Sequence, residues 1–176
     1  MQTYTRWLPL TLTVIAIGIY LILPVKPALI GDKGLASNLL TLVSTLPGFY
    51  FAGLAAVATF GNTTMDHEMP APAPEVDMRV AGKTATVKLT RRLFLSYLFS
   101  YLVILSFGLC FSLVTINALS GSIEALQEYI VCSTGMTWPW FVFKALVGIP
   151  LTFAFASMVV TTLHGVFFLT EKIHQP

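Results

Sequence analysis

Four stretches, roughly Trp7–Leu23, Leu39–Phe60, Leu93–Leu119 and Phe141–Leu169, dominate this sequence, because each is apolar over the length of a membrane span. Crossing about 30 Å of hydrocarbon takes about 20 helical residues, and a helix is one of only two structures that satisfy every backbone polar group there. The first three stretches contain no Asp, Glu, Lys, Arg or His. Only 10% of the 176 residues are charged, against about 25% in soluble domains. The expected fold is therefore an all-α membrane protein, a single tetraspan domain over residues 1–176 with four transmembrane helices.

The fourth stretch is too long for an upright span, and its charges mark its limits. Lys144 and His164 lie 20 residues apart, which is about 30 Å of helix. Each then reaches one interface, Lys144 by extending its stem. Trp138, Trp140 and Phe141 fit an aromatic belt at one end, and Phe167 and Phe168 at the other. The first stretch resembles the apolar part of a signal peptide. However, prolines flank the possible cleavage region "LPVKPALIG" and only Arg6 precedes it, so a retained helix is expected.

Orientation follows from the basic residues. One set of connections holds Arg6, Arg79, Lys83, Lys88, Arg91, Arg92 and Lys172, whereas the other holds Lys26 and Lys33, with Lys144 at its border. The excess marks the cytoplasmic side, so both termini and the middle loop are expected there.

The connections differ in kind. The first, Pro24 to Ser37, is short and broken by Pro27, Gly31 and Gly34. The third contains "SIEALQEYIV", where Ile123, Leu126 and Ile130 recur at helical spacing and predict a short helix in the outer interface. The second, residues 61–92, begins with polar "GNTTMDHE" and stiffens through "PAPAP" into a polyproline-like spacer. It then alternates: Met78 and Val80 precede an Ala81–Gly82 turn, and Ala85, Val87 and Leu89 follow it at period two. That pattern predicts a small cytoplasmic β-hairpin over residues 76–89 between the second and third spans.

Within the spans, small residues form stripes. Gly48, Ala52 and Ala56 lie four apart in the second; Ser96, Ser100 and Gly108 share a face of the third, with Ser112 beyond. Lipid gives helices no hydrophobic reason to pair, so close backbone approach at small residues is a main source of association. Such stripes serve either packing within one chain or pairing between copies. Pro47, followed by Gly48, removes a backbone bond in the middle of the second span and predicts a kink, static or hinged; Pro150 does the same in the fourth.

The same residues limit the function. Coupled transporters and pumps place ionisable groups at membrane depth, and here Lys144 and His164 are both assigned to interfaces. Asp66, His67 and Glu68 are consecutive and have no second ligand cluster, so no metal site is expected. Cys110 and Cys132 make no disulfide framework. No serine stands in a nucleophile elbow, and nothing indicates an enzyme or a cofactor. A passive path lined by Thr45, Ser96, Tyr97, Ser100, Tyr101 and Ser112 is compatible with the sequence, with Glu124 and Glu128 as an acidic ring at an outer mouth of an oligomer. The bland reading of that pair is a solvated helix face.

The hairpin is the one polar module. Arg91 and Arg92 hold it against the lipid, where anionic headgroups favour each by about 1 kcal/mol. A lone hairpin is marginal in water, so it either folds over its own helices or presents Met78, Val80 and Val87 to a partner. The second alternative makes it a docking platform.

Three stretches, "STLPGFYFAGLAAVATF", "MDHEMPAPAP" and "LTRRLFLSYLFSYL", resemble the membrane subunits of prokaryotic anti-phage systems, that of the Kiwa system most. The resemblance covers about a quarter of the chain and transfers no catalytic residue. It implies a homotetramer in the bacterial inner membrane, in contact with membrane lipids. It also implies a soluble cytoplasmic partner that binds DNA and a role in sensing infection; the formal charge of +2 is too small to suggest a nucleic-acid-binding surface on this chain itself. Two rival classes fit the same composition: a small oligomeric channel that depolarises the membrane, and an accessory subunit of a larger membrane enzyme or transporter.

The basic-residue asymmetry predicts that a reporter fused after Pro176 is active in its cytoplasmic form. Alkaline phosphatase activity at that position, which requires export, would reverse the orientation and move the hairpin to the opposite side.

Overall fold

The computed structural model describes residues 2–24, 28–29, 34–59, 66–67, 75–80, 83–135 and 138–173. The proline spacer (70–74), the Ala81–Gly82 turn, Lys26, Lys33 and Glu68 lie outside the described residues. The elements in chain order are α1 (Gln2–Ile22), α2 (Leu35–Val43), α3 (Leu46–Thr59), β1 (Glu75–Val80), β2 (Lys83–Lys88), α4 (Arg91–Ala118), α5 (Ser120–Thr134) and α6 (Trp138–Ile173).

Three helical stretches are long and apolar enough to cross a membrane: Leu35–Thr59, which joins α2 and α3, Arg91–Ala118, and Trp138–Phe168. These correspond to the second, third and fourth expected spans. The apolar part of α1, Trp7–Ile22, is shorter. α1 packs along α6 and turns Leu10, Val14, Ile15 and Ile19 outward.

α4 is the axis of the molecule, since α2, α3 and α6 all pack on it. Its buried positions are Leu95, Leu98, Leu102, Val103, Ser106, Leu109 and Leu113, a stripe at three- and four-residue spacing like the seam of a coiled coil. The opposite face carries Tyr97, Tyr101, Ile104 and Phe111 outward. Val43, Tyr50 and Met158 complete the core around Leu98, Leu102, Val103 and Leu109. Thr90 caps the N-terminus of α4, its side chain accepting the Leu93 N–H at 3.3 Å.

Close approach to α4 occurs at two glycines outside the expected stripes. A Cβ on Gly53 of α3 would stand 2.7 Å from Phe99 Cε1, and one on Gly165 of α6 would stand 3.0 Å from Leu98 Cδ2. Gly48 and Gly108, by contrast, have open space where a Cβ would be. Gly48 and Ala52 are exposed, Ala56 is half-buried, and Ser96 and Ser100 are half-buried. The stripe of α3 thus turns mostly away from the chain's own helices.

The hairpin forms as a two-stranded antiparallel sheet over 75–88, one residue earlier at each end than expected. Its register sets Val76 opposite Val87, Met78 opposite Ala85 and Val80 opposite Lys83; the alternate rungs pair Glu75 with Lys88, Asp77 with Thr86 and Arg79 with Thr84. The two apolar rungs, Val76–Val87 and Met78–Ala85, thus alternate with polar ones, as period two requires, and the Val80–Lys83 rung is mixed. Leu89, one residue past β2, is 6% exposed.

The expected outer helix is α5, continuous with α4 except for a bend at Leu119. Ile123 and Ile130 are half-buried, while Leu126 and Tyr129 face outward. Gly135 ends the helix with a positive φ of 62° and donates its N–H to Val131 O at 3.0 Å, the left-handed stop that glycine adopts without a Cβ clash.

Because Gly53 meets Phe99 and Gly48 meets nothing, leucine at the two positions should behave oppositely. Gly53→Leu forces the α3–α4 contact apart and should destabilise the protein by roughly 1–3 kcal/mol, the usual cost of overpacking. Gly48→Leu should leave the unfolding of the single chain in detergent unchanged, and equal loss at both sites would contradict this packing.

Candidate interaction surface

The described polar contacts outside the helices concentrate at the start of α4. The Arg92 guanidinium meets the Asp66 carboxylate through two contacts, Nε to Oδ1 at 2.8 Å and Nη2 to Oδ2 at 3.3 Å. Only the second has hydrogen-bond geometry, Nη2 donating to Oδ2, so this is an ion pair with a single hydrogen bond. The Arg91 backbone N–H donates to His67 O at 3.3 Å. Residues 66–67 and 91–92 are therefore tied together, and the chain between them leaves and returns at one point. The side chain of Asp66 is 61% exposed and that of Arg92 27%. A pair so wet contributes about 0–1 kcal/mol, so its role is to set geometry more than to stabilise.

The strands of the hairpin pack on each other, and no described helix packs on either to a comparable extent. Two residues, Leu89 and Thr90, join β2 to α4. Across the sheet the Thr86 hydroxyl donates to Asp77 Oδ1 at 3.0 Å, a polar rung on one face. On the apolar rungs Val87 is exposed and Val76 half-buried. Among the proposed docking residues, the register thus brings Met78 and Val87 onto apolar rungs of one small sheet and sets Val80 opposite Lys83, and Arg91 and Arg92 stand at its foot.

Other expected positions are distributed differently. Glu124 and Glu128 are both exposed on α5. Lys144 places Nζ 5.2 Å from the centre of the Trp140 ring, and Trp140 stacks on Phe143 with centres 5.4 Å apart. This is a cation held over an aromatic face at the end of the span where a belt was expected. His164 is exposed on the outward face of α6. Cys110 and Cys132 are both free thiols. Asp66, the first of the three consecutive polar residues, is engaged by Arg92, and no described group of three or more His, Cys, Asp or Glu could hold a metal ion.

The span hydroxyls turn inward on their own backbone. Ser96 donates to Arg92 O at 2.9 Å, Ser112 to Gly108 O at 2.8 Å, and Thr45 to Leu42 O at 3.3 Å. Tyr97 and Tyr101 face outward from α4. The set proposed as a path lining therefore does not converge within one chain.

Sequence reasoning missed one polar contact in the core. Tyr50, 1% exposed, has its hydroxyl 2.7 Å from Thr162 Oγ1, which itself donates to Met158 O at 2.7 Å. With that proton committed, Tyr50 is the donor, and α3 is bonded to α6. The two residues are 112 positions apart, and no local pattern pairs them.

Compared with models of protein families, with curated proteins and with solved structures, the chain matches none.

Proposed function

We propose that this chain is an oligomeric inner-membrane subunit of a prokaryotic anti-phage defence complex, and that its hairpin docks a soluble cytoplasmic partner. The observation that carries the docking reading is the stance of the hairpin. Among the described residues no helix packs on it to the extent that its strands pack on each other, it shows apolar rungs, and two residues join it to α4, with the Arg92–Asp66 pair at the start of that helix. A surface restrained in this way has less freedom to lose when a partner binds. The defence setting, and a partner that binds DNA, rest on the resemblance of the three quoted stretches.

In this reading α1 is the first of four spans. Its 21 residues make a helix of about 31 Å, it lies along α6, and its other side is apolar. Four spans put both termini in the cytoplasm with the hairpin, in agreement with the basic-residue count. The copies associate, as a tetramer in our reading, through the outward small-residue face of α3 at Gly48 and Ala52.

Two measurements test this. Replacing Met78, Val80 and Val87 together with Asp should leave membrane insertion intact, because all three lie outside the spans, and should abolish co-purification of a soluble partner encoded nearby. Retention of the partner at wild-type yield would reduce the hairpin to a structural turn. For assembly, gently solubilised protein should have the mass of a tetramer, and Gly48→Leu or Ala52→Leu should lower it. A monomer mass for the wild type ends the oligomer reading.

A further inference from the structure

The second span is not one helix. α2 ends at Val43, Ser44 and Thr45 form a turn, and α3 begins at Leu46. Pro47 accounts for the break. It has no N–H, so the carbonyl four residues earlier, that of Val43, loses its helical donor. Val43 is 0% exposed and sits in the core, so neither water nor another turn of its own helix can supply one. A carbonyl left bare there costs about 1–3 kcal/mol. The structure fills the gap from another helix: the Cys110 thiol of α4 donates to Val43 O at 3.6 Å.

The neighbouring carbonyls are served differently. Ser44 Oγ donates to Thr41 O at 3.0 Å and Thr45 Oγ1 to Leu42 O at 3.3 Å, while the Ser44 N–H reaches Leu40 O at 2.9 Å. These donors belong to the turn itself and travel with α2 if the span bends. The bond from Cys110 joins the break to a different helix, so it is the one that bending must disrupt.

We propose that Cys110 is the latch of a hinge in the second span: its thiol holds the carbonyl that Pro47 leaves open, and this bond sets the angle of α2 on α3. A thiol suits the position, since it is a weak donor that holds the angle yet releases it more readily than a hydroxyl or amide would. The hinge turns at Ser44–Thr45, and α2 is the arm that moves against α4.

The test exploits the dependence of one residue on the other. In Cys132→Ser protein Cys110 is the single thiol, and its S–H stretching band should lie below the free-thiol frequency. Pro47→Ala gives Val43 a backbone donor again and should move the band up toward that frequency. A band already at the free position in Cys132→Ser protein overturns the latch.

The hinge is read by spin labels at Leu35→Cys and Thr59→Cys in Cys110→Ala, Cys132→Ser protein. Leu35 and Thr59 are both exposed. The distance distribution should be broad, and adding Pro47→Ala should narrow it. An equally narrow distribution with and without Pro47→Ala overturns the proposal, as does a broad one that Pro47→Ala leaves unchanged. Should Cys110→Ala fail to fold, recovery of folded protein on adding Pro47→Ala supports the latch and failure to recover rejects it.

Discussion

Hydrocarbon supplies no hydrogen bonds, and much of the polar chemistry inside these spans follows from that. Several hydroxyls within the long apolar helices bond a carbonyl nearby: Ser106 to Val103, Thr152 to Gly148 and Thr162 to Met158, all at 2.7–2.9 Å. Such internal pairing is what membrane depth demands of any polar side chain. It also changes how hydroxyl-rich spans should be read. A serine or threonine that has already bonded its own helix is satisfied there and is no sign of a water path. Where the backbone breaks at Pro47, the same demand recruits two local hydroxyls and a thiol from a neighbouring helix.

Satisfying the backbone does not by itself hold helices together, because lipid is as apolar as leucine. Association has to come from fit. α4 provides the ridge, with its buried stripe from Leu95 to Leu113, and Gly53 and Gly165 let α3 and α6 come close to Phe99 and Leu98. The aromatic pairs Phe51–Phe107, with ring centres 6.0 Å apart, and Phe94–Phe168, at 5.0 Å, close the same two seams. One cross-helix bond, from Tyr50 to Thr162, adds a contribution of about 0.6 kcal/mol on the membrane average. Its larger effect is on register, because the pair fixes how far α3 slides along α6.

Much of this was legible in the sequence, and the failures have physical causes. The ends of the three long apolar helices fall within about four residues of the limits expected for the second, third and fourth stretches, since a charge or an aromatic residue marks most of them. The hairpin was readable because period two and a short turn fix register together: Val76 faces Val87 as the alternation required. The stripe Gly48–Ala52–Ala56 was correctly seen as a helix face, but the face that meets α4 carries Gly53. Spacing identifies a face without naming its neighbour. Pro47 announced a break, and the chain broke two residues before it, where the turn hydroxyls can cap. That Cys110, 67 residues on, would serve the freed carbonyl has no local signature. Nor did the sequence show that Arg92 is taken up by Asp66, 26 residues before it.

That last pairing changes what the arginine doublet does. As a lipid anchor, Arg91 and Arg92 would act alike, each drawn to phosphate by its charge. The structure divides them. Arg92 closes a loop by pairing with Asp66, and the Arg91 backbone braces the loop through His67. Closing a loop has an entropic cost that grows only slowly with length, so one wet ion pair suffices to hold residues 66 and 92 together part of the time. Both strands of the hairpin lie inside that loop, between the tie and the span. Opening the ion pair would leave the Arg91–His67 backbone bond as the remaining tie on that side, while on the other Leu89 and Thr90 attach β2 covalently to α4. Salt screens the ion pair and leaves both the backbone bond and the covalent attachment untouched.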